Sequence, residues 1–115
     1  MSGTNPYRKV LESTPKQVEV DIFRRIVFGL KHAQTSDNLA DRIKAITSTR
    51  VLWTTLLADI ATDGNQLPAD LRRGLAIVGL SIIKEIDSND FAKVDLGFLI
   101  GLTQNIRAGL EGQAT

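Results

Sequence analysis

Thr14-Pro15-Lys16-Gln17-Val18-Glu19-Val20-Asp21-Ile22-Phe23-Arg24-Arg25-Ile26-Val27-Phe28-Gly29-Leu30-Lys31-His32-Ala33 is the stretch whose reading decides the fold. Its first four residues have the form of a helix opening. The Thr14 hydroxyl can accept the Gln17 amide, the Gln17 side chain can reach back, and Pro15 suits the first helical position. Beyond them, at about 100° per residue, Val18, Ile22, Ile26, Leu30 and Ala33 share one face, and Phe23 and Val27 widen it. The spacing predicts an amphipathic helix to about residue 35 with that face in the core. Phe28 falls instead on the charged side, among Asp21, Arg24, Arg25 and His32. An aromatic residue there is either an ordinary exposed apolar group, one packed beneath a preceding helix, or an anchor for a protein partner.

The same reading extends outward. On the N-terminal side, Asn5 and Pro6 form a cap and first-turn pair, which predicts a short leading helix to about Ser13 carrying Tyr7, Val10 and Leu11. On the other side, Ser36, Asp37 and Asn38 offer caps for a helix lined by Leu39, Ile43 and Ile46. The run Thr47-Ser48-Thr49 interrupts good helix formers and predicts a bend or a restart. Val51, Leu52, Trp53, Leu56, Leu57 and Ile60 follow, ending at Asp63-Gly64-Asn65, where Gly64 suits the left-handed terminal position. In a continuous helix Arg50 would lie within the stripe of Leu39, Ile43, Trp53 and Leu57, where it must stack, pair or emerge. The expected arrangement is a guanidinium over Trp53 or on the carbonyls of a neighbouring helix.

Leu67 and Pro68 open another helix, to about Asp87, with Pro68 at its first position, Asp70 near its positive end and Leu67 stapled to Leu71. Leu71, Leu75, Val78, Ile82 and Ile86 form its inner face. Ile77, Leu80 and Ile83 fall elsewhere on the wheel, so this helix is central or is covered by a partner. Ser88, Asn89 and Asp90 break the pattern. A last helix is expected from Asp95 to about Leu110, burying Leu96, Leu99, Leu102, Ile106 and Leu110. On its other side Gly97, Gly101 and Ala108 leave a shallow strip, although an internal glycine costs about 1 kcal/mol relative to alanine. Such a strip serves close packing inside the bundle or the approach of a partner backbone.

Composition agrees with the helical reading. The chain has 115 residues, 43% of them hydrophobic, which suffices for one core and not for two. Residues 1–115 therefore read as a single domain, with 1–4 and 111–115 as flexible tails. Leucine and isoleucine together supply 25 residues against seven valines and six aromatics, a balance that favours helix over strand. The fold class predicted is all-α, a small bundle of four to five helices. The absence of cysteine excludes a disulfide framework, a thiolate zinc site and a thiol nucleophile, and fits a cytoplasmic location.

Fourteen basic against thirteen acidic residues leave a net charge of +1, which argues against direct nucleic-acid binding. The longest uncharged stretches, Gly74 to Ile83 and Leu96 to Ile106, are about half of the ~20 residues that a membrane helix needs. Met1 to Lys9 shows no secretory signal pattern. His32 is the single histidine, so a histidine-rich metal site is excluded. Asp87, Asp90 and Asp95 lack calcium-loop spacing and read as caps. No glycine-rich phosphate loop is present. No catalytic, cofactor or metal residue is expected, and the chain does not read as an enzyme. The candidate partner-binding residues are Phe28, Ile77, Leu80, Ile83, Gly97 and Gly101.

One set of residues says more. Arg50-Val51-Leu52-Trp53, Asp59, Asn65, Leu67-Pro68, Leu71-Arg72 and Asn105-Ile106-Arg107-Ala108-Gly109-Leu110 together resemble the flagellar biosynthesis regulator FlaF family. The resemblance extends over nearly the whole chain, Tyr7 and Thr14-Pro15 included. Thr49 stands where members of that family commonly carry asparagine. The resemblance implies a bacterial cytoplasmic factor that acts with flagellin, promotes its translation or secretion and opposes the repressor FlbT. On that reading the partner is a terminal helical segment of flagellin, an amphipathic helix whose apolar face a small helical protein can cover. Two other readings are a translational regulator acting through FlbT or flagellin messenger RNA, and a homodimer that covers its own surplus apolar surface instead of remaining a monomer. Among the matched residues, Asp59 and Arg72 are expected to join the helices flanking the 64–68 loop, with Asn65 shaping it, and Trp53 is expected either to anchor the core or to contact a partner.

Overall fold

Four helices and one short 3-10 turn make up the computed structural model, which describes residues 16–62, 64 and 67–114, with side chains for 21–62, 64 and 67–106. Helix α1 spans Lys16–Thr35, α2 Leu39–Ile60, α3 Ala69–Asp87 and α4 Leu96–Ala114, and the 3-10 turn Phe91–Lys93 lies between the last two. Among the described residues there is no strand. The architecture is thus the all-α arrangement that the leucine- and isoleucine-rich composition predicts. The leading helix at Asn5 to Ser13, the Thr14-Pro15 cap, residues 1–4, Thr115 and Asn65 lie outside the described residues, as do the side chains of Val18, Arg107, Ala108, Gly109 and Leu110, whereas residues 111–114, expected as part of a tail, continue the last helix.

Each helix is where its apolar period puts it, but two inner faces are rotated from the expected ones. In α1, Ile22, Phe23, Ile26, Val27, Leu30 and Ala33 are all buried, as the spacing predicts. In α2 the buried set is Ile46, Thr49, Leu52, Trp53, Thr55, Leu56 and Ile60, whereas Leu39 is exposed and Ile43 and Leu57 are half-buried. The helix runs without a break through Thr47 to Thr49, so no restart occurs there. The Thr49 hydroxyl donates to the Ala45 carbonyl at 2.7 Å, so a polar side chain enters the core without leaving an unmet donor. In α4, Leu96, Leu99, Ile100 and Thr103 are buried, with Leu102 and Ile106 half-buried beside them.

The ends of the helices show how local chemistry sets the boundaries. Asn38 caps α2 through its Oδ1, which accepts the Ala40 amide at 2.8 Å. Ala61 ends that helix in a right-handed conformation, and no glycine among the described residues has a positive φ, so Gly64 does not take the left-handed position expected of it. Pro68 sits one residue earlier than expected, at the cap and not the first helical position. Its carbonyl accepts the Arg72 amide at 2.9 Å, and its missing N–H costs the helix nothing there. Of the three aspartates read as caps, only Asp95 caps with its side chain, accepting the Phe98 amide at 3.0 Å. Asp90 contributes its backbone carbonyl, and Asp87 forms an interhelix bridge.

Trp53 joins three of the helices. It is fully buried in α2, its ring meeting Phe23 of α1 edge to face at a centroid distance of 5.6 Å and an interplanar angle of 64°. On the α3 side it meets Gly79, where an added Cβ would come within 2.9 Å of Trp53 Cε3 and 3.0 Å of Leu57 Cδ2. The close glycine contact of this fold is therefore Gly79 and not the expected strip on α4. Gly101 is exposed and a Cβ there would meet nothing within 4 Å, while Gly97 would make only ordinary contacts with Asp95 and Gln34.

Two side chains brace the connections. Arg42 of α2 donates from Nε to the Phe91 carbonyl at 2.6 Å and from Nη2 to the Val94 carbonyl, tying the 3-10 turn to the start of α2. Glu85 of α3 accepts the Asp95 amide at 2.9 Å and the Asn89 side chain at 3.1 Å, fixing the angle at which α4 begins.

Trp53→Ala should cost about 3 to 5 kcal/mol, read as a lowered melting temperature, because the cavity would open where three helices meet. Replacing glycine by alanine should act with opposite sign at two positions. Gly79→Ala should destabilise by about 1 to 3 kcal/mol through overpacking on Trp53, and Gly101→Ala should stabilise by about 0.5 to 1 kcal/mol through helix propensity. Equal shifts in urea-denaturation midpoints for the two variants would contradict this assignment.

Candidate functional site

The loop at residues 36–38 turns the chain back on itself, and two matching stripes then face one another. On α1 the residues are Arg25, Phe28, Gly29 and His32; on α2 they are Asp41, Lys44, Ala45 and Ser48. Both follow the i, i+3, i+4, i+7 spacing that lines one helix face. Gly29 and Ala45, in the middle of the two stripes, put little side chain into the space between them. They leave a groove of about 370 Å³, with Ile26 contributing to its lining. A Cβ added at Gly29 would meet nothing within 4 Å.

The charges around this groove are not balanced within it. Asp41 is engaged, accepting the Ser36 hydroxyl at 2.9 Å and lying 3.7 Å from His32 Nε2. Arg25 and Lys44 are exposed and belong to none of the ion pairs among the described residues. Phe28 is 74% exposed at the edge of the groove. It is thus an exposed apolar group of α1, as its wheel position requires, and it also lines this groove.

The other expected partner residues separate into two groups. Ile77 and Leu80 of α3 are 61% and 62% exposed and lie three residues apart on one face, forming a bare apolar ridge. Ile83 is half-buried and packed against the core, one position along the helix from the buried Ile82. Gly97 and Gly101 are exposed on α4 and close to no buried contact. Phe91 and Phe98, each 41% exposed at the α3 to α4 connection, were not anticipated from periodicity, since they lie at a turn and a helix start where no long period exists to read.

The residues of the Leu-Trp segment and its surroundings are structural. Leu52 and Trp53 are buried, and Leu67 and Leu71 are half-buried against the core. Arg50 does not stack on Trp53. It reaches across to α3, where Nε and Nη2 donate to the two carboxylate oxygens of Asp87, each at 2.8 Å. The expected Asp59–Arg72 ion pair is not one of the pairs formed among the described residues, and Arg72 Nε is buried without a hydrogen-bond partner. Asn105 is exposed on α4. Among the described residues no group of three or more histidine, cysteine, aspartate or glutamate side chains could hold a metal ion, and no helix is long and apolar enough to cross a membrane.

The fold and this surface define a small all-helical protein with one charged-rimmed groove between two helices and a separate apolar ridge on a third. The chain belongs to the flagellar protein FlaF family, whose model matches residues 4–110. No curated protein and no solved structure matches it.

The Arg50–Asp87 bridge carries a pH signature. Hydrogen bonding from Arg50 holds the Asp87 carboxyl below its ordinary value, with desolvation opposing and the Arg50 charge adding to the effect. The same contact raises Arg50. A carboxyl lowered in the folded state contributes its stability in full above about pH 4, the unfolded value, and loses it as pH falls through the folded value. Asp87→Asn should therefore show a shallower loss of melting temperature than the native chain on acidification below about pH 4. Parallel acid limbs for the two proteins would mean that the bridge contributes nothing.

Proposed function

We infer that this chain is a flagellin-binding protein that acts as a chaperone and regulator during flagellum assembly, and that it works by covering an amphipathic terminal segment of flagellin, not by catalysis. Family membership supports a flagellar role. The observation that carries the binding reading is the apolar surface the bundle leaves bare: Phe28 beside the α1–α2 groove and the Ile77–Leu80 ridge. Large apolar groups exposed at more than half of their area, next to a concavity of this size, are features of protein-binding surfaces. Terminal segments of unassembled flagellin are amphipathic helices that would associate prematurely. A small protein that holds their apolar faces delays that association and keeps the segments available for secretion.

A second reading comes from the family rather than from the surface. It makes the protein a translational regulator acting through FlbT or flagellin messenger RNA. The net charge of +1 weighs against the RNA branch, because phosphate binding needs a concentrated basic surface. Purified protein mixed with flagellin at tens of micromolar should co-elute in gel filtration, and the triple variant Phe28→Ser, Ile77→Ser, Leu80→Ser should elute as an unchanged fold without flagellin. Co-elution with FlbT, or retention of flagellin leader RNA in the presence of competitor RNA, without any flagellin complex would instead establish the second reading.

A further inference from the structure

The α1–α2 groove has a chemistry of its own, distinct from that of the α3 ridge. Its floor is formed by small residues, Gly29 and Ala45, and Phe28 stands at one edge. Arg25 on one helix and Lys44 on the other are exposed cations without ion-pair partners among the described residues. The one carboxylate lining the groove, Asp41, is already held by Ser36 and lies near His32. An apolar floor between two unneutralised cations is complementary to a ligand with an apolar ridge and negative flanks.

We propose that this groove docks an acidic amphipathic helix, whose apolar ridge lies over Gly29 and Ala45 against Phe28 and whose flanking carboxylates meet Arg25 and Lys44. The floor supplies affinity by excluding water from the ridge of the guest helix. The cations supply selection, rejecting a basic helix with the same ridge and speeding the approach of an acidic one. A helix suits the site better than an extended strand, because the groove lies between two helices and offers no free backbone edge for strand addition. The inference rests on the binding reading above only in that a flagellin segment would be the natural guest.

Two labelled peptides of about 18 residues, roughly five helical turns, make the test. Both carry the same leucine ridge, one flanked by glutamates and the other by lysines. Fluorescence anisotropy at low salt should show the glutamate peptide binding at least about tenfold more tightly than the lysine peptide. Arg25→Glu combined with Lys44→Glu should reverse that order, and raising the salt should narrow the difference. Gly29→Leu should abolish binding while leaving the melting temperature at or above the native value, since its side chain enters open space. Amide shifts on binding should fall on α1 and α2 around Gly29. Equal binding of the two peptides, binding of neither, displacement by RNA, or shifts confined to Ile77 and Leu80 would overturn the proposal.

Flagellin itself separates this proposal from the functional reading. If flagellin binds and Gly29→Leu blocks it, both stand. If flagellin binds regardless of Gly29→Leu and of the charge reversal, and the glutamate peptide shows no preference over the lysine peptide, the groove proposal falls and the flagellin reading survives. If the glutamate peptide binds and flagellin does not, the groove proposal stands and the flagellin reading falls.

Discussion

The burial of Trp53 is the constraint that organises the molecule. One side chain on the second helix touches Phe23 of the first and Gly79 of the third, so the relative placement of three helices is decided at a single point. The contact needs a large aromatic on one side and the smallest residue on the other. Glycine in a helix interior is unfavourable by about 1 kcal/mol, and here it permits an approach that any side chain would prevent. Around this point the aliphatic residues fill space in the ordinary way, with Leu30, Ile46, Leu52, Leu75, Ile82 and Leu99 all buried. The remaining polar contacts adjust the frame. Arg50 and Asp87 connect α2 to α3 at the surface, and Arg42 and Glu85 hold the turn leading into α4.

This arrangement leaves the surface free to differ from the core in a useful way. Packing α2 against α3 through Trp53 and Leu57 directs the Lys44, Ala45 and Ser48 stripe toward α1. There it meets a stripe of matching spacing whose own middle residue is glycine. With little side chain at Gly29 and Ala45, the space between the two stripes stays open as a groove. The apolar ridge on α3 has a different origin. Ile77 and Leu80 lie on the side of that helix turned away from its buried residues, where no element of the described bundle covers them. Exposed apolar surface of this kind is a common feature of protein-binding faces.

Much of this was legible from residue order. Helical periods predict where four helices begin to within a residue or two, because each start carries a capping or proline signal, whereas the second helix stops three residues short of its expected end and the last runs four residues past it. The exposure of Phe28, Ile77 and Leu80 follows from the same wheels, since a residue opposite an apolar stripe has nowhere to hide. The misreadings share a cause. Thr49 looks like a helix interrupter until its hydroxyl is seen bonded to the Ala45 carbonyl, and Arg50 looks stranded in an apolar stripe until the inner face proves to be rotated toward Ile46, Thr49 and Leu56. Ile83 looks fully available for a partner until packing half-buries it against the core. Each depends on a neighbour that is distant in the chain.

The sequence alone determined the class of fold, the starts of the helices, the buried face of the first one and the absence of cysteine chemistry, because these depend on local period and composition. Its motif order also pointed to the family. Only the tertiary structure decided that Gly79 and not Gly97 or Gly101 makes the close contact, that Arg50 bridges to Asp87, and that Arg25 and Lys44 flank a common groove. The physical reason is that a helix wheel states which residues share a face but not which face of another helix lies opposite. Close approach, ion pairing and concavity are properties of two surfaces together, and they exist only once packing has brought those surfaces into register.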